Sequence, residues 1–385
     1  MKRHSNLSAK KIMHYALCIM HCVALLPLIL PLTGCWDMVE INTRAFVIGL
    51  GVDESEAEGQ QDFTFVYTVV TEEDVYTTVT VSAPSLPQAI NAFNKNIGAD
   101  ANFEHLLCVA LGADTAKSDF YPLLGCLFSW PAVRRQSLVI ASDGRAEELL
   151  AQKMTGGSTP SVIASAVETT DRSRTHRATA TLHHIFIAHC NNSGFFLYEI
   201  GLEETGKETA VPAVSGALSY DAGGYKGRLE KEEAKWLRLF FGRQTDGVIG
   251  IKDRDGRDIY FRVTGSNCVK SMSFTGDKLR GEIHLRLECA LFDGGDKTPG
   301  ELADYEDFYS ESQRKIAESM SGILRKIVTK CMSELGAAPT GLDDVTRRMC
   351  GDWFEEHAQD MSYYFAGSDI DLRVTCNLRR TGTGI

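Results

Sequence analysis

The sequence predicts an α+β protein, an elongated multi-domain body of mixed sheets flanked by helices, standing behind a cleaved export segment. Three observations carry this. Runs of alternating apolar and polar residues recur from residue 46 to residue 378, the period-two signature of strands with one buried face. Between them lie stretches whose apolar residues return at three and four positions, as in amphipathic helices. A chain of 385 residues also exceeds what one hydrophobic core usually organises, so two or three domains are expected.

The chain opens with a basic segment, Met1 to Lys11, followed by Ile12 to Leu32, an apolar run whose only ionisable side chains are His14, Cys18, Cys22, Tyr15 and His21. That pattern is an export signal. It ends in Leu32-Thr33-Gly34-Cys35, a bacterial lipobox, in which the small Gly34 fits a tight peptidase pocket and the Cys35 thiol takes a diacylglycerol. Cleavage between Gly34 and Cys35 then leaves Cys35 as an S-diacylglycerol, N-palmitoyl N-terminus. About 20 apolar residues could instead span a bilayer uncleaved, but Pro27 and Pro31 interrupt such a helix. Either route puts the body on the outer side of the membrane, and each acyl CH₂ contributes about 0.8 kcal/mol to holding it there.

Beyond Cys35, Phe46 to Val52 reads as a buried strand, and Phe63, Phe65, Tyr67 and Val69 as a second after the polar turn Glu54 to Gln61. Val75 to Val81 continues the β pattern until Pro84. Ser85 then stands where it can cap a helix whose face is Ala89, Ile90, Phe93 and Ile97, ended by Gly98. Leu106 to Leu111 and Ser137 to Ala141 read as strands around a helical stretch near Asp114 to Phe128, and Arg145 to Gln152 as a short helix. A helix is expected over Ser161 to Thr169, with strands near Ile185 and over Phe195 to Ile200. The polar Gly201 to Thr209 marks the main domain boundary. After it come Val214 to Tyr220, a helix over Glu230 to Phe241, and alternating strands at Ile259 to Val263 and Ile283 to Leu291. Ile316 to Leu335 forms a long amphipathic helix ended by Gly336, and Ile370 to Leu378 the last strand. The expected divisions are residues 1–34 as signal peptide, 35–205 as N-terminal domain and 212–385 as C-terminal domain, with a further division near 255 compatible with the pattern.

The formal net charge is −11, and the body is more negative still, because Lys2, Arg3, Lys10 and Lys11 have no acidic counterpart before Cys35. This disfavours nucleic acid, and attachment to an anionic membrane has to come from an anchor. Of the body cysteines, Cys108, Cys126, Cys190, Cys268, Cys289, Cys331, Cys350 and Cys376, none forms a CxxC. Several fall at apolar positions where cysteine serves as a small hydrophobe, so no disulfide framework is expected.

Catalytic signals are absent. Gly49-Leu50-Gly51 follows strand residues but lacks a third glycine and a helix start, so it reads as close backbone packing and not as a dinucleotide site. His183, His184, His189 and Cys190 are metal-ligand types at spacings that do not converge. Asp343-Asp344 and Glu355-Glu356 read as solvated faces or charges near helix ends. No catalytic residue, metal or cofactor is expected.

Cys35-Trp36-Asp37-Met38-Val39-Glu40-Ile41, followed by Ala45 to Asp53 (AFVIGLGVD), resembles the mature N-terminus of the Ger(x)C spore germination lipoproteins, the C subunits of germinant receptors. His105 with the strand after it, Trp130-Pro131-Ala132-Val133-Arg134-Arg135 and the Leu138 to Leu150 segment resemble that family's first domain. Val214 to Leu218 with Gly227-Arg228-Leu229 resembles the opening of its second, and the long helix, Trp353 and the closing strand also fit. Around Pro131 the family usually carries charged residues, where this chain has Ser129, Trp130 and Ala132. The resemblance implies a non-catalytic docking and stabilising subunit, lipid-anchored on the outer face of the cytoplasmic (spore inner) membrane. Its implied partners are the integral membrane A-type and permease-like B-type receptor subunits, with nutrient binding in the permease-like one. An extracytoplasmic solute-binding lipoprotein shares the anchor and the mixed domains, and would need a ligand cleft. A cell-envelope hydrolase would need a nucleophile or paired carboxylates that the sequence does not supply.

Overall fold

The computed structural model describes residues 11–21, 23, 43–69, 75–154, 157–169, 180–204, 210–242, 247–275, 278–294 and 307–379. The chain divides into a unit Met1–Arg44 and a unit Ala45–Ile385. In the first, residues 11–21 are helical, and among the described residues no helix is long and apolar enough to cross a membrane.

The second unit is built on two sheets. The larger has nine strands in the order β3-β2-β1-β5-β6-β7-β8-β9, with β4 also on β1. These strands are β1 Arg44–Glu54, β2 Gln61–Val69, β3 Thr77–Ala83, β4 Asp100–Asn102, β5 Cys108–Leu111, β6 Leu138–Ser142, β7 Phe195–Glu204, β8 Ala210–Asp221 and β9 Gly224–Glu230. β1, β5, β6 and β7 run parallel and the outer strands antiparallel. Helices cover both faces of the parallel centre, which explains why β1 and β5 are near-continuous apolar runs. On one face lie α1 Leu86–Ile97, α2 Tyr121–Ser129 and α5 Leu182–Cys190; on the other lie α3 Ala146–Leu150 and α4 Thr159–Thr169.

The smaller sheet, β10-β11-β12-β13, comprises β10 Val248–Lys252, β11 Asp258–Thr275, β12 Lys278–Asp293 and β13 Asp369–Leu378. Its alternation is strict, with Leu279, Ile283, Leu285, Leu287 and Cys289 buried while Lys278, Arg280, Glu282, His284, Arg286 and Glu288 face solvent. The buried face receives Ile316, Met320, Leu324 and Ile327 of α7, Phe308–Lys330. A π-turn, Cys331–Leu335, continues that helix to Gly336, whose φ of 76° only glycine adopts readily. The segment Ala337–Gly367 then folds as short helices, including α8 Leu342–Met349, α9 Gly351–Glu356 and α10 Met361–Ala366.

Three expectations are corrected. The strand near Ile185 is helix α5, because Leu-His-His-Ile-Phe-Ile-Ala-His-Cys is apolar on nearly every side and shows no period; the Thr181 hydroxyl fixes its start by accepting from His184 N at 3.3 Å. Glu230 to Phe241 is not one helix but α6, Lys231–Ala234, followed by a 3₁₀ turn over Leu237–Phe241. Ser85 stands at the N-cap of α1 without a side-chain cap; its carbonyl accepts from Ala89 N instead. Across residues 205–209, β7 pairs antiparallel with β8 from Glu204↔Ala210 to Phe195↔Tyr220, so the large sheet takes strands from both sides of that polar stretch.

Candidate functional site

Gly34 and Cys35, the expected cleavage and lipidation positions, lie outside the described residues, as does Trp36. The remaining motif residues fall into internal joints and exposed surfaces.

The Gly49-Leu50-Gly51-Val52-Asp53 run is a joint. A Cβ on Gly49 would collide with the Pro160 ring at the start of α4, and one on Gly51 would press on Leu150, Thr64 and Ala146. The glycines therefore let two helices sit directly on β1. Asp53, buried, accepts from Ala146 N at 2.7 Å and Glu147 N at 3.0 Å, capping α3 from a neighbouring strand. Burial raises its pKa, partly offset by those two amides.

Val214 to Leu218 and Gly227-Arg228-Leu229 meet across β8 and β9. Arg228 donates from Nε to the buried Glu199 at 2.6 Å and from its terminal nitrogen to Ser215 O at 3.0 Å, and also pairs with Glu230. Gly216 passes beneath this ion pair, where a Cβ would crowd Glu199 and the Leu229 carbonyl. The histidines do not converge. His183 and His184 rings stand 6.5 Å apart, His189 packs on Tyr121 at 4.3 Å, and Cys190 is exposed.

Trp353 anchors an aromatic cluster that sequence reasoning named only in part. Its ring lies 4.5 Å from Phe274 near the tip of the β11–β12 hairpin, 4.7 Å from His357 and 4.9 Å from Tyr364. Tyr363, whose ring meets that of Tyr364 at 5.5 Å, is 77% exposed. The helical spacing of Trp353 and His357 was its one signal in the sequence.

A second feature was missed. Asp343, read with Asp344 as a solvated face or a charge near a helix end, stands in the first turn of α8 but is buried, and accepts from Gly194 N at 3.0 Å, tying the C-terminal helices to the start of β7. Burial pushes its carboxyl up to about 6. Lys270 of β11 faces it and is itself held below the usual lysine range by desolvation; its ammonium donates to Thr340 O at 2.6 Å and lies 4.8 Å from the Phe241 ring centre. A cavity of about 310 Å³ opens beside Asp343, lined among others by Asn192, Tyr220, Asp221, Phe354 and Ser362. Asp221 is already engaged by Lys226 at 2.8 Å and by the Ser362 hydroxyl at 2.9 Å.

Two family descriptions match in chain order: the spore germination protein N-terminal domain over residues 37–202, and the spore germination B3/GerAC-like C-terminal domain over residues 216–382. Spore germination protein A3 of Bacillus subtilis (strain 168) is 24% identical over 393 residues, covering 95% of this chain and 97% of that one. The spore germination protein YfkR of the same organism is 26% identical over 145 residues, covering 34% of this chain and 37% of its own length. The crystal structure of the GerBC protein superposes with a TM-score of 0.56 at 15% identity, covering 89% of this chain and 99% of that one. The class is therefore a spore germination protein of mixed α+β fold. More narrowly, the chain belongs to the GerC-type family of germinant-receptor subunits.

Proposed function

We propose that this chain is the lipid-anchored C-type subunit of a nutrient-germinant receptor. It acts as a non-catalytic docking and assembly module on the outer face of the cytoplasmic (spore inner) membrane, beside the A-type and permease-like B-type membrane subunits. The observation that carries the reading is the in-order match of both family regions, beginning at residue 37, directly behind the lipobox cysteine. Side-chain chemistry agrees with a binding role, since the motif residues Gly49, Asp53, Gly216 and Arg228 are spent on internal packing while Trp353 and its neighbours offer an aromatic surface of the kind that anchors interfaces.

The test is Cys35→Ala. The variant should leave the membrane fraction, keep its fold by circular dichroism, and weaken the germination response; membrane retention with a normal response would refute the reading. The solute-binding alternative would place its ligand in the cavity beside Asp343. Calorimetric titration of the purified body with amino acids and sugars should give no heat of binding under the docking reading.

A further inference from the structure

We propose that the cavity between the start of β7 and the C-terminal helices binds an organic cation, an alkylammonium group held by the buried Asp343 and the exposed Asp360. This site stands independently of the docking role.

Both matched regions build the cavity. Its lining is drawn from segment 192–194, which leads into β7, from 220–226 at the turn between β8 and β9, and from the helical segments 336–343 and 354–365. Gly194 sets how closely the regions meet. A Cβ there would strike the Tyr220 carbonyl and the Ala338 side chain, so the space is bounded by backbone in direct contact.

The charges on this lining do not balance. It carries the carboxylates of Asp221, Asp343 and Asp360 against the single ammonium of Lys226. Lys226 is engaged by Asp221 at 2.8 Å. Asp360 is exposed and has no ion pair among the described residues. Asp343 is buried and accepts amide hydrogens, from Gly194 at 3.0 Å and from Asp344. Lys270 is the cation that acts on Asp343, but it lies outside the lining and spends its ammonium on Thr340 O at 2.6 Å and the Phe241 ring. Arg348, on the same side as Lys270, pairs with Asp344. Asp343 titrates near pH 6, so at neutral pH it is a desolvated anion beside open space, the condition that a cationic ligand relieves.

The lining also selects the kind of cation. Among the described residues no three carboxylate, imidazole or thiol groups converge as ligands for one metal ion, so the charges call for a cation with a hydrocarbon body. Ala338, Phe354, Met361 and Phe365 give the cavity apolar wall for such a body. Tyr363, exposed at the rim, offers a ring face to an ammonium. A volume of about 310 Å³ admits a short aliphatic chain. The same carboxylates repel the carboxylate of an amino acid, and a sugar brings no positive charge, so neither class of nutrient answers to this site.

The test is calorimetric titration of the mature lipidated protein, in a neutral detergent, with putrescine, spermidine and N-acetyl-lysine methylamide, whose only charge is a side-chain ammonium. At least one of these should bind at a single site per chain. Asp343→Asn keeps an acceptor for Gly194 N and should weaken that binding at least about tenfold, as expected for loss of a charge-assisted hydrogen bond. Asp360→Asn, at an exposed position, should weaken it by a smaller factor. Glu355→Gln, an exposed acid outside the lining, should leave it unchanged. Because ionised Asp343 is the form that attracts the ligand, affinity should be about tenfold lower at pH 5 than at pH 7.5, the ratio of ionised fractions for a group titrating near pH 6. Tighter binding of the capped lysine than of either amine assigns the site to a lysine side chain of a protein partner, and the reverse order assigns it to a free amine. Absence of binding by every probe, or binding that survives both Asp343→Asn and Asp360→Asn, overturns the site and leaves the docking role untouched.

Discussion

Replacing Asp343 with Asn should stabilise the protein at neutral pH and leave it almost unchanged in acid. The carboxyl is buried at the start of α8, with Gly194 N as its partner from the large sheet. Burial lifts its pKa from 3.8 to about 6, against the smaller opposing effects of two backbone amides and the Lys270 charge, while neighbouring Asp344 adds to the rise. A gap of that size corresponds to about 3 kcal/mol at 1.36 kcal/mol per pH unit, an order-of-magnitude figure. The folded-state pKa lies above the unfolded one, so the folded protein holds this proton more tightly. Stability from this group is thus complete below about pH 4 and lost as pH rises through 6. Asn keeps an oxygen for Gly194 N–H and removes the charge, so Asp343→Asn should gain about 2 kcal/mol at pH 7.5 and less than about 1 kcal/mol at pH 4.5. Urea unfolding followed by tryptophan fluorescence at both pH values measures this, with equal slopes required for the comparison. A variant less stable than wild type at pH 7.5, or a difference independent of pH, would refute the account of a carboxylate desolvated by burial.

The other joints give sharper losses. Asp53→Ala leaves two amides at the start of α3 without their acceptor and should cost about 2–4 kcal/mol in chemical unfolding, with Asp53→Asn recovering part of it. Gly49→Ala should cost about 1–3 kcal/mol by driving a methyl into the Pro160 ring, whereas Gly256→Ala, in open space but at φ 80°, should cost only the about 1 kcal/mol of a left-handed backbone. Arg228→Ala strands Glu199 in the sheet and should cost about 2–3 kcal/mol, reduced from the fully buried case by the partial exposure of Arg228; adding Glu199→Gln should recover much of it. Native-state thiol labelling should modify exposed Cys190 first. Cys108, whose thiol burial pushes up to about 12, and buried Cys331 should react only on unfolding.

Elements with a clean period were legible in the sequence because burial on one face writes itself directly into side-chain order. β12, alternating from Leu279 to Cys289, and α7, with Ile316, Met320 and Leu324 on its buried stripe, are of this kind. α5 was not legible, because its helix is apolar beyond the face it buries and the extra apolar residues erase the period. The glycines of β1 were readable as close packing, but what approached them was not: Pro160 and Leu150 come from helices more than ninety residues onward. Asp343 failed for the same reason. Beside Asp344, which pairs with Arg347 and Arg348, it has the local sequence of a solvated helix start, and only the distant Gly194 and Lys270 make it internal.

The pairing of β7 with β8 bears on the proposed docking role. Residues 37–202 and 216–382 match separate family regions, yet the second region's first strands, β8 and β9, complete the sheet of the first, and Arg228 on β9 reaches Glu199 on β7. A cut at residues 205–209 would leave the long edge of β7 unpaired, and exposed edges of that length invite pairing with other chains. Further ties cross the same divide: Arg238 Nη2 donates to Val167 O at 3.2 Å, and Gly194 N to Asp343 at 3.0 Å. The two matched regions are thus mechanically coupled, through a shared sheet and buried polar contacts. A load applied at the start of β1 reaches β8 through hydrogen-bonded backbone, and the C-terminal part through the shared apolar core and the contacts of Gly194 with Asp343 and of Ser219 with Leu335 O. Separate expression of 36–205 and 210–385 should therefore yield two aggregating fragments that recover solubility when co-expressed, and two independently soluble fragments would show that the shared sheet is dispensable.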